Sequence, residues 1–561
     1  MQIARAPALE AAHCNFRRCG AFDPVIEGGA MRGRSSIAGT LAALLFGSVS
    51  CETVARARQC TASLDQVVIK QSLIVTLEDW PTFFSKADFS FARTIDAILA
   101  SLEVDPDANR IGLVQTLLDT YDIDRQNNPD PHSMLPIAIE KQRDNNIPSA
   151  DMLLDAHSGL RPVALVNRLD RAPRDGANCG EYRIVYAMKY RLQTGGEGRF
   201  FLNFEAVLPN PERERGIAGC MPVAEFWSGL SGKAEQQMAA DLETFYYKGL
   251  GSGFVAAVLA KNYGIPDGQV RGNATLNGPE HWQLREWKIV PPSKTSDAAF
   301  RIETVKKNAL AEFYRDDSKG AIDGKAQDQQ RIAYQQAFVD QYLPQLFSPE
   351  LTSSPVPGDD PAIAAYMLSL LNEFGADIDN RFNEFQNISS NSEDDPELEA
   401  SGLKPRIDAA LSQLDLLSKG VSSNEALARA GAITCGGCHA FSNGKTVGHV
   451  AGREIRWPNS LGFVHIDQDG HPSPALREWN LPWRRQKLYE MLCTEPKLPE
   501  PGFEEELVLR NELAELLTAL IEKKASLDGQ ETDNRFRSLV DRLTRIDLEK
   551  EGYFVRYRRT H

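Results

Sequence analysis

Three residues of this 561-residue chain have types and spacing suited to one specific chemistry: Cys435, Cys438 and His439, in the run Thr434-Cys435-Gly436-Gly437-Cys438-His439. A C-x-x-C-H run brings together two thiols able to add across the vinyl groups of haem and an imidazole able to ligate the iron from the same turn. Gly436 and Gly437 carry no Cβ, which would let the backbone lie close to a porphyrin. Four of the nine histidines (His439, His449, His465 and His471) fall within 33 residues of one another. The motif occurs once, so it accounts for one covalent haem c. Two other chemistries draw on the same residues. Cys435 and Cys438 with His449 and His465 have the makings of a tetrahedral zinc site, and the two cysteines alone could form a redox disulfide. Haem is favoured over both by the export signal described below.

A sixth iron ligand would separate electron transfer from catalysis, because a second strong ligand keeps substrate off the metal. His465 is the first candidate, in the apolar stretch Gly462-Phe463-Val464-His465-Ile466. Met491, 52 residues beyond His439, is the alternative, although Lys487-Leu488-Tyr489-Glu490-Met491-Leu492 reads as helix rather than as a ligand-bearing loop. His449 ranks third, and an open position would make the site an enzyme's. Arg453, Arg456, Arg484 and Arg485 have the charge to pair with haem propionates, though solvated surface charge is the commoner fate of such residues. No catalytic side chain is identified: G-x-S-x-G and H-E-x-x-H are absent. Gly249-Leu250-Gly251-Ser252-Gly253 lacks the Lys-Ser/Thr of a phosphate loop and reads as a turn. Arg168, Asp170, Asp175 and Glu181 beside Cys179 read as a salt-bridged turn rather than a site.

The elements that must position these residues divide by pattern. Apolar spacing in FARTIDAILASLEV and RIGLVQTLLDTYDI predicts helices within residues 58–160. From Val163 the pattern becomes extended. Tyr182–Leu192 and Arg199–Leu208 read as strands joined by the glycine-rich turn Thr194–Gly198, and Gln269–Leu276, Trp282–Val290 and Phe300–Val305 read as further strands. A helix is expected around Ala234–Tyr247. Residues 161–325 are therefore expected to form an antiparallel β-rich domain. Residues 326–426 read as helical, with a polar linker at Asn387–Glu397; residues 427–495 carry the haem motif, and residues 496–561 form a helical pair. The fold class expected is α+β.

Charge and targeting narrow the setting. Acids outnumber bases 77 to 62, for a net charge of −15, which argues against a nucleic-acid partner. The expected partner is a redox protein or a small molecule. Residues 1–57 read as a signal region with Met31 as the working start: Arg32 and Arg34 precede the apolar run Ile37–Phe46, with cleavage after Ala57 or lipid attachment at Cys51. The expected location is the periplasm, or the outer membrane or cell surface for the lipidated form. Export permits disulfides, and with Cys435 and Cys438 assigned to haem, Cys60, Cys179, Cys220 and Cys493 remain after cleavage. Cys179 and Cys220 stand in glycine-containing turns flanking one strand pair and are the favoured pairing.

The sequence resembles bacterial c-type cytochromes and, more closely, a set of large exported bacterial proteins, through AITCGGCHAFSNGKTVG, WPNSLGFVHIDQDG, PALREWNLPWRRQKL, LVNRLDRAPRDGANCGEYRIVYA and NFEAVLPNP. The cytochrome-like part spans about Leu427–Cys493. The resemblance implies haem and export, and implies no substrate. Electron relay through one covalent haem is the leading expectation. The alternatives are a peroxidase- or oxidase-like haem enzyme with an open distal face, and an exported surface or structural protein without functional haem.

Overall fold

The computed structural model describes residues 68–122, then 148–303 apart from 174, 193–194, 252, 265–267 and 276–281, then 311–315, 325–347, and 402–493 apart from 433–435 and 451–452. The expected signal region 1–57, Cys51, Cys60, Cys435, the expected linker Asn387–Glu397 and the expected helical pair 496–561 lie outside the described residues.

Seven strands build one antiparallel sheet: β1 (Ile74–Thr76), β2 (Arg161–Arg168), β3 (Asn178–Arg191), β4 (Glu197–Pro209), β5 (Gln269–Thr275), β6 (Trp282–Val290) and β7 (Ala299–Glu303). They pair in sequence order, each with its neighbour, so the sheet is a simple meander. The longest pair is the β3–β4 hairpin, in register from Arg191 opposite Glu197 to Glu181 opposite Val207. Gly195 in its turn has φ +91°, a conformation that favours glycine.

One sheet face is apolar. Tyr186, Phe204, Val270 and Trp287 pack there with two helices, α1 (Phe91–Ser101) and α2 (Pro106–Asp119). Both helices start as their sequences dictate. The Ser90 hydroxyl accepts from the Arg93 N–H, and the Asp105 carboxylate accepts from the Asp107 N–H ahead of a first-turn proline. Two further helices, α3 (Met221–Ser228) and α4 (Glu235–Tyr247), extend this layer through Trp227 and Phe245. The Cys179–Cys220 disulfide ties the start of β3 to the start of α3, with Cα atoms 5.3 Å apart.

The opposite face is polar, yet it is also covered. Arg183, Glu205, Gln269 and Glu286 alternate with the apolar residues of their strands, as a half-solvated sheet requires, but all four are buried. Their cover is the segment that follows the C-x-x-C-H motif: Val464, Ile466, Leu476, Leu481 and Leu488 belong to the same core as the sheet. A second core lies in helices α5 (Lys325–Ala337), α6 (Lys404–Gln413) and α7 (Ser423–Ala432), with Tyr334, Phe338, Ile407, Leu411 and Leu427 in contact. After α7 come a hairpin of β8 (Thr446–Val450) and β9 (Arg453–Arg456) and a last described helix, α8 (Leu481–Cys493).

Two expectations about organisation need correcting. The segment 58–160 is not wholly helical: β1 comes from it and forms the sheet edge, pairing Ile74 with Val166 and Thr76 with Ala164. Three residues are too few to carry a periodic signal. Nor does 427–495 fold around a separate core. Its own apolar cluster is small, made of Ala428, Ala432, Cys438, Val447, Ile455, Trp457 and Trp479, while Leu427 and Ala430 join the second core and Val464, Ile466, Leu476, Leu481 and Leu488 join the sheet. The antiparallel α+β architecture itself is as expected.

Candidate haem-attachment site

Helix α7 delivers the motif. It opens with a reciprocal cap in which the Glu425 N–H donates to the Ser422 hydroxyl and the Ser422 N–H to the Glu425 carboxylate. Nearly every side chain of α7 is buried, including Arg429, whose guanidinium donates to the carbonyls of Val447 and Leu346 and lies 4.1 Å from the centre of the Phe347 ring. The chain then turns through a short π-helical stretch, Gly437–Phe441. Gly437 is required by chain packing: a Cβ there would stand 1.9 Å from the Gly431 carbonyl oxygen. The missing side chain therefore admits the end of α7, a use the sequence reading had assigned to a porphyrin.

Cys438 is a buried free thiol. The Cys438 sulfur lies 3.4 Å from Nε2 of His465, and burial pushes the thiol up to about 12. Ala428, Ala432, Val447, Trp457 and Trp479 surround it. Two buried polar atoms beside this cluster, Ser442 Oγ and Trp457 Nε1, lack a hydrogen-bond partner.

His439 is held at its δ nitrogen. Nδ1 lies 2.9 Å from the Phe463 carbonyl oxygen, and since a carbonyl only accepts, Nδ1 carries the proton and donates. Burial, aided by the charge of Arg271, lowers the imidazole to about 4, the Phe463 carbonyl opposing the shift. Neutral at ordinary pH and protonated on Nδ1, the ring has its lone pair on Nε2. The Ser460 hydroxyl also donates to the His439 carbonyl, fixing the backbone of the turn.

His465 stands beside it, with ring centres 4.6 Å apart and planes inclined by 43°. Its Nδ1 lies 2.9 Å from Ser473 Oγ, which also accepts from the Leu476 N–H, and its Nε2 faces Cys438. Burial, with His439 and Arg484 nearby, holds it well below the usual imidazole range. Two imidazoles on opposite sides of a metal have ring centres about 6 Å apart, given metal–nitrogen bonds of about 2 Å. In this arrangement His439 and His465 therefore do not straddle an ion.

The other singled-out residues fall elsewhere. Met491 is on α8 and packs on the sheet core, in the helix-core role its context suggested. His449 is on β8, and its side chain lies outside the described residues, as does that of Arg453. Arg456 is exposed and paired with Glu454; the Arg485 Nε donates to the Val68 carbonyl; Arg484 is buried within electrostatic reach of Asp170 and His465. Gly249, Gly251 and Gly253 all have positive φ, and the Phe254 N–H donates back to Gly251, so that stretch is a turn. Among the described residues, the His, Cys, Asp and Glu side chains whose ligand atoms close to within 4.8 Å as a group of three are Asp467, Asp469 and His471, on a turn; Cys438 and His439 are in no such group with other described residues.

The polar sheet face beneath the motif holds a buried chain of ion pairs. Arg168 pairs with Asp170, Arg171 and Arg183 with Glu181, Arg183 and Arg271 with Glu205, and Arg271 with Glu286. The three arginines around Glu181 hold its carboxyl far below the usual range despite burial. Arg168, Asp170 and Glu181 thus belong to structure, as the turn reading held; Asp175 accepts from the Ala177 N–H.

Sequence reasoning missed Phe463, Asn273 and Ser473. The one signal for Phe463 was the preceding glycine; Asn273, in GlnValArgGlyAsnAlaThr, offered none. Compared with protein-family models, curated proteins and solved structures, the chain matches none.

Proposed function

We propose that the chain is a c-type haem protein that transfers electrons through one covalently bound haem. Cys435 and Cys438 would hold the group through thioether bonds, His439 would ligate its iron through Nε2, and the haem would supply a reversible one-electron change. The observation that carries the reading is the donation from His439 Nδ1 to the Phe463 carbonyl. Histidines that bind metals commonly give their second ring N–H to a carbonyl or carboxylate, which fixes the tautomer and aims the other nitrogen. The apolar lining of Cys438 and the orphaned donors Ser442 Oγ and Trp457 Nε1 also suit a large, mostly apolar group with polar edges. His465 remains the first choice for a distal ligand and Met491 the second; engagement of His465 by Cys438 and Ser473 favours, as a second reading, an open distal position and an enzyme.

Export belongs to the same reading. It is supported by the ordered basic and apolar regions after Met31 and by the Cys179–Cys220 disulfide, a bond suited to an oxidising compartment.

The test is co-expression from Met31 with a cytochrome c maturation system. The protein should retain haem stain after denaturing electrophoresis, and the double substitution Cys435→Ala/Cys438→Ala should lose it. A wild-type protein that carries zinc, or no covalent group, refutes the reading. In the loaded protein, His465→Ala should shift the ferric haem toward high spin while Met491→Leu leaves the spectrum unchanged; the reverse assigns Met491. A wild-type haem that is already high-spin and takes cyanide readily selects the enzyme.

A further inference from the structure

The geometry points to Asn273, on β5, as a positioning residue for His439, acting through the Phe463 carbonyl, so that the sheet sets the tautomer and donor strength of the haem ligand. The inference rests on the proposed ligation by His439 and adds the residue that controls it. The Phe463 oxygen has two lone pairs and both are used: it accepts from His439 Nδ1 at 2.9 Å and from Asn273 Nδ2 at 2.7 Å. The amide orientation follows from the partner, since a carbonyl can take only the NH2 end. Asn273 is buried, and its Oδ1 has no hydrogen-bond partner, so the side chain is committed to this one bond.

The carbonyl is delivered by a backbone that would not adopt this shape unaided. Gly462 and Phe463 both have left-handed φ, +59° and +65°, and Phe463 is one of three non-glycine residues with positive φ among those described. Such a residue persists where its surroundings over-determine it. Here they do so from the sheet. The Phe463 ring stacks on Trp282 of β6 with centres 5.8 Å apart and planes 24° from parallel, and the Arg199 guanidinium of β4 lies 4.9 Å from the Trp282 ring. Arg199 also donates to Gln468 Oε1 at 2.9 Å, fastening the far side of the same loop. Trp282 and Arg199 fix where Phe463 lies, and Asn273 fixes where its oxygen points.

Without the Asn273 amide, the oxygen would be free to rotate away from His439. The Nδ1–H bond would weaken, the ring would be free to exchange tautomers, and Nε2 would become the poorer donor. A poorer donor stabilises ferric iron less, so the potential should rise.

The experiment reads both consequences. In the haem-free full chain, 15N imidazole NMR, with His439→Gln used to assign the signal, should show wild-type His439 wholly as the Nδ1–H tautomer. Asn273→Leu and the smaller Asn273→Ala should populate both tautomers, and Asn273→Gln, which keeps the donor, should restore the first. In the loaded protein, Asn273→Leu should raise the ferrous-to-ferric ratio at fixed poise about threefold, roughly 28 mV at 59 mV per tenfold for one electron. A wild-type His439 found as Nε2–H overturns the inference whether or not the variants fold. So does an unchanged tautomer in folded Asn273→Leu or Asn273→Ala together with an unchanged potential. Failure of wild type to take up haem would instead overturn the ligation reading, and the haem-free spectra would still decide the role of Asn273.

Discussion

Replacing Glu205 with Gln should strongly destabilise the protein, because its carboxylate links two arginines in the buried chain of ion pairs. Glu205 is 1 % exposed, and one carboxylate serves two cations, Arg183 Nη1 at 3.2 Å and Arg271 Nη1 at 3.1 Å. It also accepts from Gln269 Nε2 at 2.6 Å and Asn203 Nδ2 at 2.7 Å. At an effective dielectric near 20 and charge centres about 4 Å apart, each ion pair contributes about 4 kcal/mol. Losing both is partly offset because the amide no longer requires desolvation of a carboxylate, a relief of several kcal/mol. The net expected loss is about 3–5 kcal/mol, the range found when one partner of a buried pair is removed and the other stays charged. Urea is the denaturant to use, since guanidinium salts would screen the charges being measured. The control is Asp79→Asn, which breaks the Lys70–Asp79 pair whose side chains are 39 % and 30 % exposed, and which should cost under about 1 kcal/mol. If Glu205→Gln and Asp79→Asn shift the urea midpoint equally, the buried chain of ion pairs does not bear on stability as reasoned.

Two further outcomes follow from the same geometry. Removing the disulfide with Cys179→Ala/Cys220→Ala opens a loop with a sequence separation of 41, and the loop-entropy relation gives a loss of up to about 4 kcal/mol, read as a lower urea midpoint in oxidising buffer only. Acid should destabilise the haem-free chain through His439, whose folded value of about 4 lies below the ordinary 6.5, so that the unfolded chain binds the extra proton. The stability is complete above pH 6.5 and is lost as pH falls toward 4, by about 2 kcal/mol at pH 5; His439→Gln should flatten that part of the profile, and an unflattened profile contradicts the burial of the ring.

What could be read from sequence depended on how local its cause was. The β3–β4 hairpin, β5, β6, β7 and the helix at Glu235–Tyr247 each show a repeat period within their own residues, and all stand within a few residues of where that period puts them. The Cys179–Cys220 bridge was legible because both cysteines flank one strand pair. β1 was not, because Ile74–Thr76 is a strand only by virtue of its partner, 90 residues on. The cover of the second sheet face was not legible for a related reason: nothing in the alternation around Glu205 shows that it is buried, and the segment that closes over that face comes from after residue 460. At the site, type and spacing singled out Cys438 and His439, whereas Phe463 and Asn273 meet His439 through a backbone oxygen, which leaves no mark on residue type.

The burial of Cys438 beneath Trp457 and Trp479, in a segment that closes over the sheet, bears on the order of events in biogenesis. The pairings β2–β3, β3–β4, β5–β6 and β6–β7 close short loops, whereas the cover returns to β5 across 190 residues, from Phe463 to Asn273. Local pairings form sooner than distant ones, because loop closure must be achieved before long-range contacts stabilise anything. Those four pairings can therefore be in place while the cysteine turn is still open to the solvent. A thiol-directed reagent would have its access in that interval; once Val464 and Ile466 have docked, Cys438 is 5 % exposed and a late reagent meets a closed surface.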